Sequence, residues 1–301
     1  MVEETYPVST EIYYFSGTGN SLHVARELAK RIPGARLLPI VSVVSRESVG
    51  ASAGTVGFVF PHYASSLPKI VHSFIEKLDL ASADYLFAIV TRGRTETMAF
   101  GQIDKVLKRK GKQLHAHFVF TMPSGSEPLV KGYAEKITEE RIQRLESEML
   151  ARLDAVQRVI AQREISRERD TGDGTAPPRV LAPFVPLIRA AGPLLVPVGK
   201  RVETTFDFYT DEKCTGCGVC ERVCLAERVQ MVEGRPLWRG AVKCHGCFAC
   251  LNFCPLESIQ VRSKWYLRSY TEQNGRYHHP EITAKDIAAQ KGISYVYSHR
   301  P

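Results

Sequence analysis

All eight cysteines of this 301-residue chain lie between positions 214 and 254. Cys214, Cys217, Cys220 and Cys224 are spaced C-x2-C-x2-C-x3-C, and Cys244, Cys247, Cys250 and Cys254 repeat that spacing. Three thiolates on so tight a loop can reach three corners of one iron–sulfur cubane, with the fourth corner filled from elsewhere. Structural zinc sites usually set two cysteine pairs far apart around one tetrahedral ion. Four cysteines within eleven residues, twice over, suit a cubane better. A disulfide framework would require an exported chain. Met1–Thr10 shows no basic stretch followed by an apolar one, so no secretory signal is visible and a cytoplasmic chain is expected. The chemistry indicated is transfer of single electrons.

The residues around the cysteines form an internal repeat. Lys213-Cys214-Thr215-Gly216-Cys217 matches Lys243-Cys244-His245-Gly246-Cys247 at an offset of 30, and Glu227 and Gln230 match Glu257 and Gln260. Each half is expected to be a strand, a cluster loop and a helical turn. Gly216 and Gly246 let the backbone approach a cluster and aim amides at its sulfurs. Leu225 stands where the second half has Pro255, a local difference in loop stiffness. His245 has two readings: a hydrogen bond to a sulfide or, more simply, a ring facing water.

A second constellation lies near the N-terminus. The β-branched and aromatic run Glu11–Phe15 passes into Ser16-Gly17-Thr18-Gly19-Asn20-Ser21, then into the helical pattern Leu22, Ala25, Leu28, Ala29. Free amides at a helix start, its positive dipole end and nearby hydroxyls make an anion site. Leu22 occupies the third glycine position of a dinucleotide fingerprint, and the lysine of a Walker loop is missing. A hydroxyl-rich cradle without lysine suits a terminal phosphomonoester such as that of FMN. A plain strand–helix turn is the alternative.

The elements that must position this loop alternate along the chain. Strands are expected at Glu11–Phe15, Leu37–Ile40, Val56–Phe60, Tyr85–Val90 and His117–Phe120, with helices after Pro68 and over Thr97–Lys110. The pattern predicts a flavodoxin-like, doubly wound five-stranded parallel sheet whose ligand sits beyond the strand C-termini. The loops expected to meet there are 16–21, 61–67 and 91–97, with 122–125 nearby. A long helix is expected over 135–169, from the stripe Ile137, Leu145, Met149, Leu153, Val156 and Ile160.

On these residues the chain resembles the flavodoxin–ferredoxin fusion proteins, in which an FMN-type domain precedes a two-cluster ferredoxin of α+β fold. The resemblance rests on Tyr14–Ser21, on Pro61-His62-Tyr63-Ala64 with Leu67-Pro68, on the paired cysteine runs and on Arg276-Tyr277-His278-His279-Pro280. It implies two [4Fe-4S] clusters, one on Cys214, Cys217, Cys220 and Cys254, the other on Cys244, Cys247, Cys250 and Cys224. It also implies that Ser16 to Ser21 hold the FMN phosphate, and that Tyr63, beside Ala64, flanks the isoalloxazine ring. The third loop, Thr91-Arg92-Gly93-Arg94, departs from ordinary flavodoxins by offering two arginines and no aromatic ring. Arg92 or Arg94 is expected either to stabilise a reduced flavin or to lie in a solvated loop.

Four segments follow: a flavodoxin-like domain over 10–168, a linker and apolar connector over 169–204, the ferredoxin domain over 205–263 and an aromatic tail over 264–301. The stretch 180–198 carries four prolines and Arg189, which exclude a clean spanning helix. It is expected to pack between domains, with peripheral membrane or partner docking as the alternative. The formal charge of +8 would fall to about +4 with two clusters of about −2 each. The scattered basic residues form no nucleic-acid module. The expected function is electron transfer between the clusters, FMN and a redox protein partner. The alternatives are a ferredoxin-dependent flavin reductase acting on a small molecule or bound cofactor, with His62 as its best acid candidate, and a cluster-based sensor that lacks an output module.

Overall fold

The structure, a computed structural model, describes residues 10–126, 137–170, 206–262 and 275–292. The linker beyond Asp170, the 180–198 segment and the tail aromatics Trp265, Tyr266, Tyr270, Tyr295 and Tyr297 lie outside the described residues.

In the N-terminal half β1 (Thr10–Tyr14) leads to α1 (Asn20–Arg31), β2 (Ala35–Pro39) and the short α2 (Ile40–Val43). After β3 (Val49–Gly50) come β4 (Thr55–Pro61), α3 (Lys69–Lys77), β5 (Leu78–Asp79), β6 (Tyr85–Arg92), α4 (Ala99–Lys108) and β7 (Ala116–Thr121). The half closes with α5 (Glu139–Ala161) and β8 (Ser166–Arg167). One parallel sheet has the order β2-β1-β4-β6-β7-β8. Its five long strands follow the flavodoxin-like order, whose switch point lies between β1 and β4.

The central strands are buried on both faces, as parallel strands covered by helices require. Every residue of β6 is buried, and Ile12, Val56, Phe58, Val59 and Ile89 are fully enclosed. On one side α1 packs against α5, and elsewhere α3 packs against α4. Gly57 of β4 stands beside Phe87 of β6, whose ring fills the space a side chain would take: a Cβ there would lie 2.1 Å from the ring.

Two expectations change. The five anticipated strands are present, and β8 adds a short sixth at the β7 edge. The helix anticipated over 135–169 is shorter, running from Glu139 to Ala161. It starts at Thr138, whose hydroxyl accepts from the Arg141 amide, and it ends after Ile160, the last residue of the buried stripe. Arg163 then takes a left-handed conformation (φ 53°) and turns the chain into β8.

The C-terminal half pairs β9 (Phe208–Thr210) antiparallel with β12 (Ile259–Val261). Between them lie α6 (Val219–Arg222), the hairpin β10 (Val229–Val232) and β11 (Arg235–Trp238), and α7 (Ala249–Asn252). The offset of 30 seen in sequence is also a backbone repeat. Glu227 and Glu257 both sit at positive φ, each donating its amide to the carbonyl of the fourth cysteine of its run. Phe206, Phe208, Phe248 and Trp238 form the aromatic core of this half. A last helix, α8 (Ala284–Ala289), begins with a capping box between Thr283 and Asp286.

Gly57→Ala should overpack the sheet against a ring that has no room to move. A loss of about 3 kcal/mol is expected in chemical denaturation, with the same cofactor content before unfolding.

Candidate functional site

The two cysteine loops sort into two groups across the runs. Cys214, Cys217, Cys220 and Cys254 line one cavity together with Gly216 and Pro255. Cys217 is exposed at its mouth and Cys220 is buried. Gly216 has a positive φ of 73°, and a Cβ there would meet the Gly234 carbonyl of the β10–β11 turn at 2.6 Å, so only glycine fits. In the other group Cys224, Cys244, Cys247 and Cys250 are near enough that charge on Cys244 and Cys224 raises both Cys247 and Cys250.

Burial dominates thiol chemistry here. It pushes Cys220 up to about 11, helped by Cys254 and Cys217, and raises Cys247 and Cys250 further. Thiolates so placed need compensating positive charge, which an iron–sulfur core supplies. Local amides add to it: Gly246 N–H points at Cys244 Sγ at 3.3 Å, and Arg228 N–H at Cys224 Sγ at 3.2 Å. His245 does not face water. It is half-buried, with its ring edge-on to Phe15 at 5.8 Å between centroids.

That contact belongs to a larger seam. The loop after β1 lies directly against the second cysteine run: a Cβ on Gly17 would fall 2.5 Å from the Cys247 carbonyl and 2.6 Å from its Cβ. The same loop is covered by the C-terminal segment 275–292. A Cβ on Gly19, itself at φ 104°, would fall 2.9 Å from the Cβ atoms of His279 and Ile282. Gly125, from the loop after β7, approaches Thr18, Asn252 and Tyr277 as closely.

The four anticipated loops do converge. Ser21 Oγ and Thr91 Oγ1 share a hydrogen bond of 2.7 Å, and Asn20 Nδ2 donates to the Pro123 carbonyl at 2.7 Å. The His62 amide donates to the Thr91 carbonyl, and Tyr63 sits edge-on to Phe15 at 6.2 Å. Tyr63 and Ser66 close a two-residue turn whose centre, Ala64 and Ser65, has positive φ at both positions. Non-glycine residues there store strain, a feature common at binding sites. Among the described residues, the amides of Gly17 to Leu22 donate to no protein acceptor, although all but Thr18 are buried. Buried amides at a helix start left without acceptors fit a phosphate group.

Two other expectations resolve differently. Arg92 is buried and its guanidinium pairs with Asp170 at 3.0 Å, while Asp170 also accepts from the Thr97 amide at 2.7 Å. Its charge is thus committed to tying the third loop to the end of the first half. Gly93 is buried beside it, and Arg94 is half-buried. Burial, then the Arg92 charge, pushes His62 down to about 4, so at neutral pH it is an uncharged imidazole and not an imidazolium.

A cluster that the sequence does not announce joins α1, α5 and the C-terminal segment. Glu146 accepts from His23 Nε2 at 2.6 Å and from His279 Nε2 at 3.2 Å, and the two imidazoles stack at 3.9 Å and 20°. Three candidate ligand atoms lie within 4.8 Å of one another. Stacked rings, however, aim their lone pairs side by side rather than at one point. His279 Nδ1 also accepts from the Glu281 amide, which leaves the ring proton on Nε2, toward Glu146. His23 Nδ1 faces the Glu281 carboxylate at 3.3 Å. The group is a hydrogen-bonded clamp. Burial alone would raise Glu146, but the bonds from His23 and His279 outweigh it and hold the carboxyl at about 2.

Residues 213–259 match the 4Fe-4S dicluster domain family. Among solved structures the chain is similar to a putative flavoprotein from Bacteroides uniformis, at 19% identity, covering 40% of this chain and 94% of that one, with a TM-score of 0.30. It is also similar to rubredoxin oxygen:oxidoreductase from the anaerobe Desulfovibrio gigas, at 12% identity, covering 53% of this chain and 38% of that one, with a TM-score of 0.31. Both likenesses are too distant to bear on function. No curated protein matches the chain. Among the described residues no helix is long and apolar enough to cross a membrane. The strand order defines a flavodoxin-like sheet in the first half, and residues 213–259 of the second half match a 4Fe-4S dicluster domain.

Glu146→Gln should weaken the clamp by about 2 kcal/mol at pH 7, read from urea unfolding of the anaerobic holoprotein. Because the folded carboxyl lies near 2, its contribution is complete above pH of about 4.5 and is lost as pH falls toward 2. His23 and His279 are the titratable groups that face it, and Glu281 faces His23 from the other side. The gap between the native protein and the variant should therefore narrow on acidification.

Proposed function

We propose that the chain is an electron-transfer protein in which two [4Fe-4S] clusters exchange electrons with FMN and pass them on to a redox protein. One cluster is held by Cys214, Cys217, Cys220 and Cys254, the other by Cys244, Cys247, Cys250 and Cys224. The FMN phosphate lies in the amide cradle of 16–21, with the ring beyond β1 and β4, beside Tyr63. FMN supplies the exchange between one-electron and two-electron chemistry. The protein groups bind it, position it and bring the second cysteine run to it.

The observation that carries this reading is the close approach of Gly17 to Cys247. It puts a cluster ligand against the loop that would hold the phosphate, so no partner has to carry electrons between the halves. The alternative is a reductase acting on a small molecule at the flavin; burial and Arg92 hold His62, its acid candidate, as a neutral imidazole. Anaerobic isolation should give about eight iron atoms and one FMN per chain. Zinc without iron, or iron without flavin after reconstitution with FMN, would reject the proposal. Substituting Cys254 or Cys214 by alanine should perturb the same cluster signal in EPR, and substituting Cys224 or Cys244 the other.

A further inference from the structure

The segment 275–292 does more than cover the phosphate loop: it grips that loop by its outward-facing backbone. The Gln290 side chain, fully buried, donates to the Ser16 carbonyl at 2.8 Å and accepts from the Ser16 amide at 3.0 Å. The His279 amide donates to the Thr18 carbonyl at 2.8 Å. The Tyr277 hydroxyl donates to Asn20 Oδ1 at 2.8 Å, and Asn20 in turn donates through Nδ2 to Pro123.

The consequence follows from the planarity of the peptide unit. In a trans peptide the carbonyl of one residue and the amide of the next point in opposite directions. With the Ser16 and Thr18 carbonyls drawn outward to the segment, the Gly17 and Gly19 amides are turned the other way, into the cradle. Those two amides are among the donors left without a protein acceptor. A loop of two glycines has little preference of its own for this arrangement, so something outside it must choose.

We propose that segment 275–292 is a working part of the anion site, in which Gln290 and Tyr277 are positioning residues that orient the loop amides toward the phosphate of a flavin mononucleotide. This rests on the proposal that the loop holds FMN. The two residues touch the loop from outside the cradle and act through Ser16 and Asn20. The arrangement discriminates for a phosphomonoester: it adds nothing for a flavin that lacks one.

The test compares FMN with riboflavin in fluorescence titrations of the full-length, cluster-loaded protein stripped of flavin. In the native protein FMN should bind more tightly than riboflavin. Gln290→Met keeps the side-chain volume and removes both hydrogen bonds to Ser16, and Tyr277→Phe removes one hydroxyl. Each should weaken FMN about tenfold, with riboflavin affinity and iron content unchanged. Equal weakening of both flavins would make the segment a structural brace only and overturn the proposal, as would FMN affinity unchanged in both variants. If Gln290→Met fails to fold, Tyr277→Phe decides alone. A native protein that holds riboflavin as tightly as FMN would reject the phosphate reading itself, and the orienting role with it.

Discussion

The contact on which the rest depends is backbone against backbone, where Gly17 meets Cys247 without an intervening side chain. A parallel sheet delivers its loops to one end, and in a free-standing domain that end would face solvent. Here the second half of the chain closes over it, and it can do so only because the loop is glycine at the two points of closest approach, Gly17 and Gly19. Any other residue at 17 would collide with a carbonyl oxygen rather than with a side chain that could turn aside. The same glycines that permit an amide cradle on the inner side permit a second domain on the outer side.

Polar groups make much of this seam, and their burial explains its specificity. Gln290, Asn252, Tyr277 and His279 are nearly or fully enclosed, and each spends its hydrogen bonds on a defined partner in the first half or beside it. An apolar seam could slide. A buried amide left unmatched costs about 1–3 kcal/mol, so a shifted register would be penalised at several positions at once. Arg26 with Asp286, at 2.6 Å, fixes the start of α8 in the same manner. The Glu146 clamp ties the third element, α5, to both.

What the sequence makes legible is what repeats or alternates. The five long strands follow from runs such as Val56–Phe60, and the cysteine repeat follows from an offset that survives in the backbone as the paired turns at Glu227 and Glu257. The loop between β1 and α1 is readable because its pattern is local: strand, hydroxyls, glycines, helix. The seam is not, since Gln290 and Ser16 are 274 positions apart and glutamine near a C-terminus carries no signal of its own. The pairing of Arg92 is hidden for a related reason: Arg92 ends β6, while its partner, Asp170, lies at the start of a segment with no periodicity. His279 is similar: only the folded chain shows His23 stacked on its ring and Glu146 bonded to both imidazoles.

Geometry also ranks the two clusters on the proposed reading. Cys247 adjoins the phosphate loop and His245 adjoins Phe15, whose other neighbour is Tyr63 at the expected flavin edge. The cavity of the first group opens elsewhere, with Cys217 exposed and Leu256 uncovered beside it. An inner cluster walled by protein and an outer cluster near solvent differ in the property that most affects potential, access of water to the sulfurs. The internal repeat thus supplies two equal ligand sets, and the domain seam makes them unequal. That asymmetry leaves the second cysteine group enclosed against the loop after β1 and the first group with Cys217 at the surface.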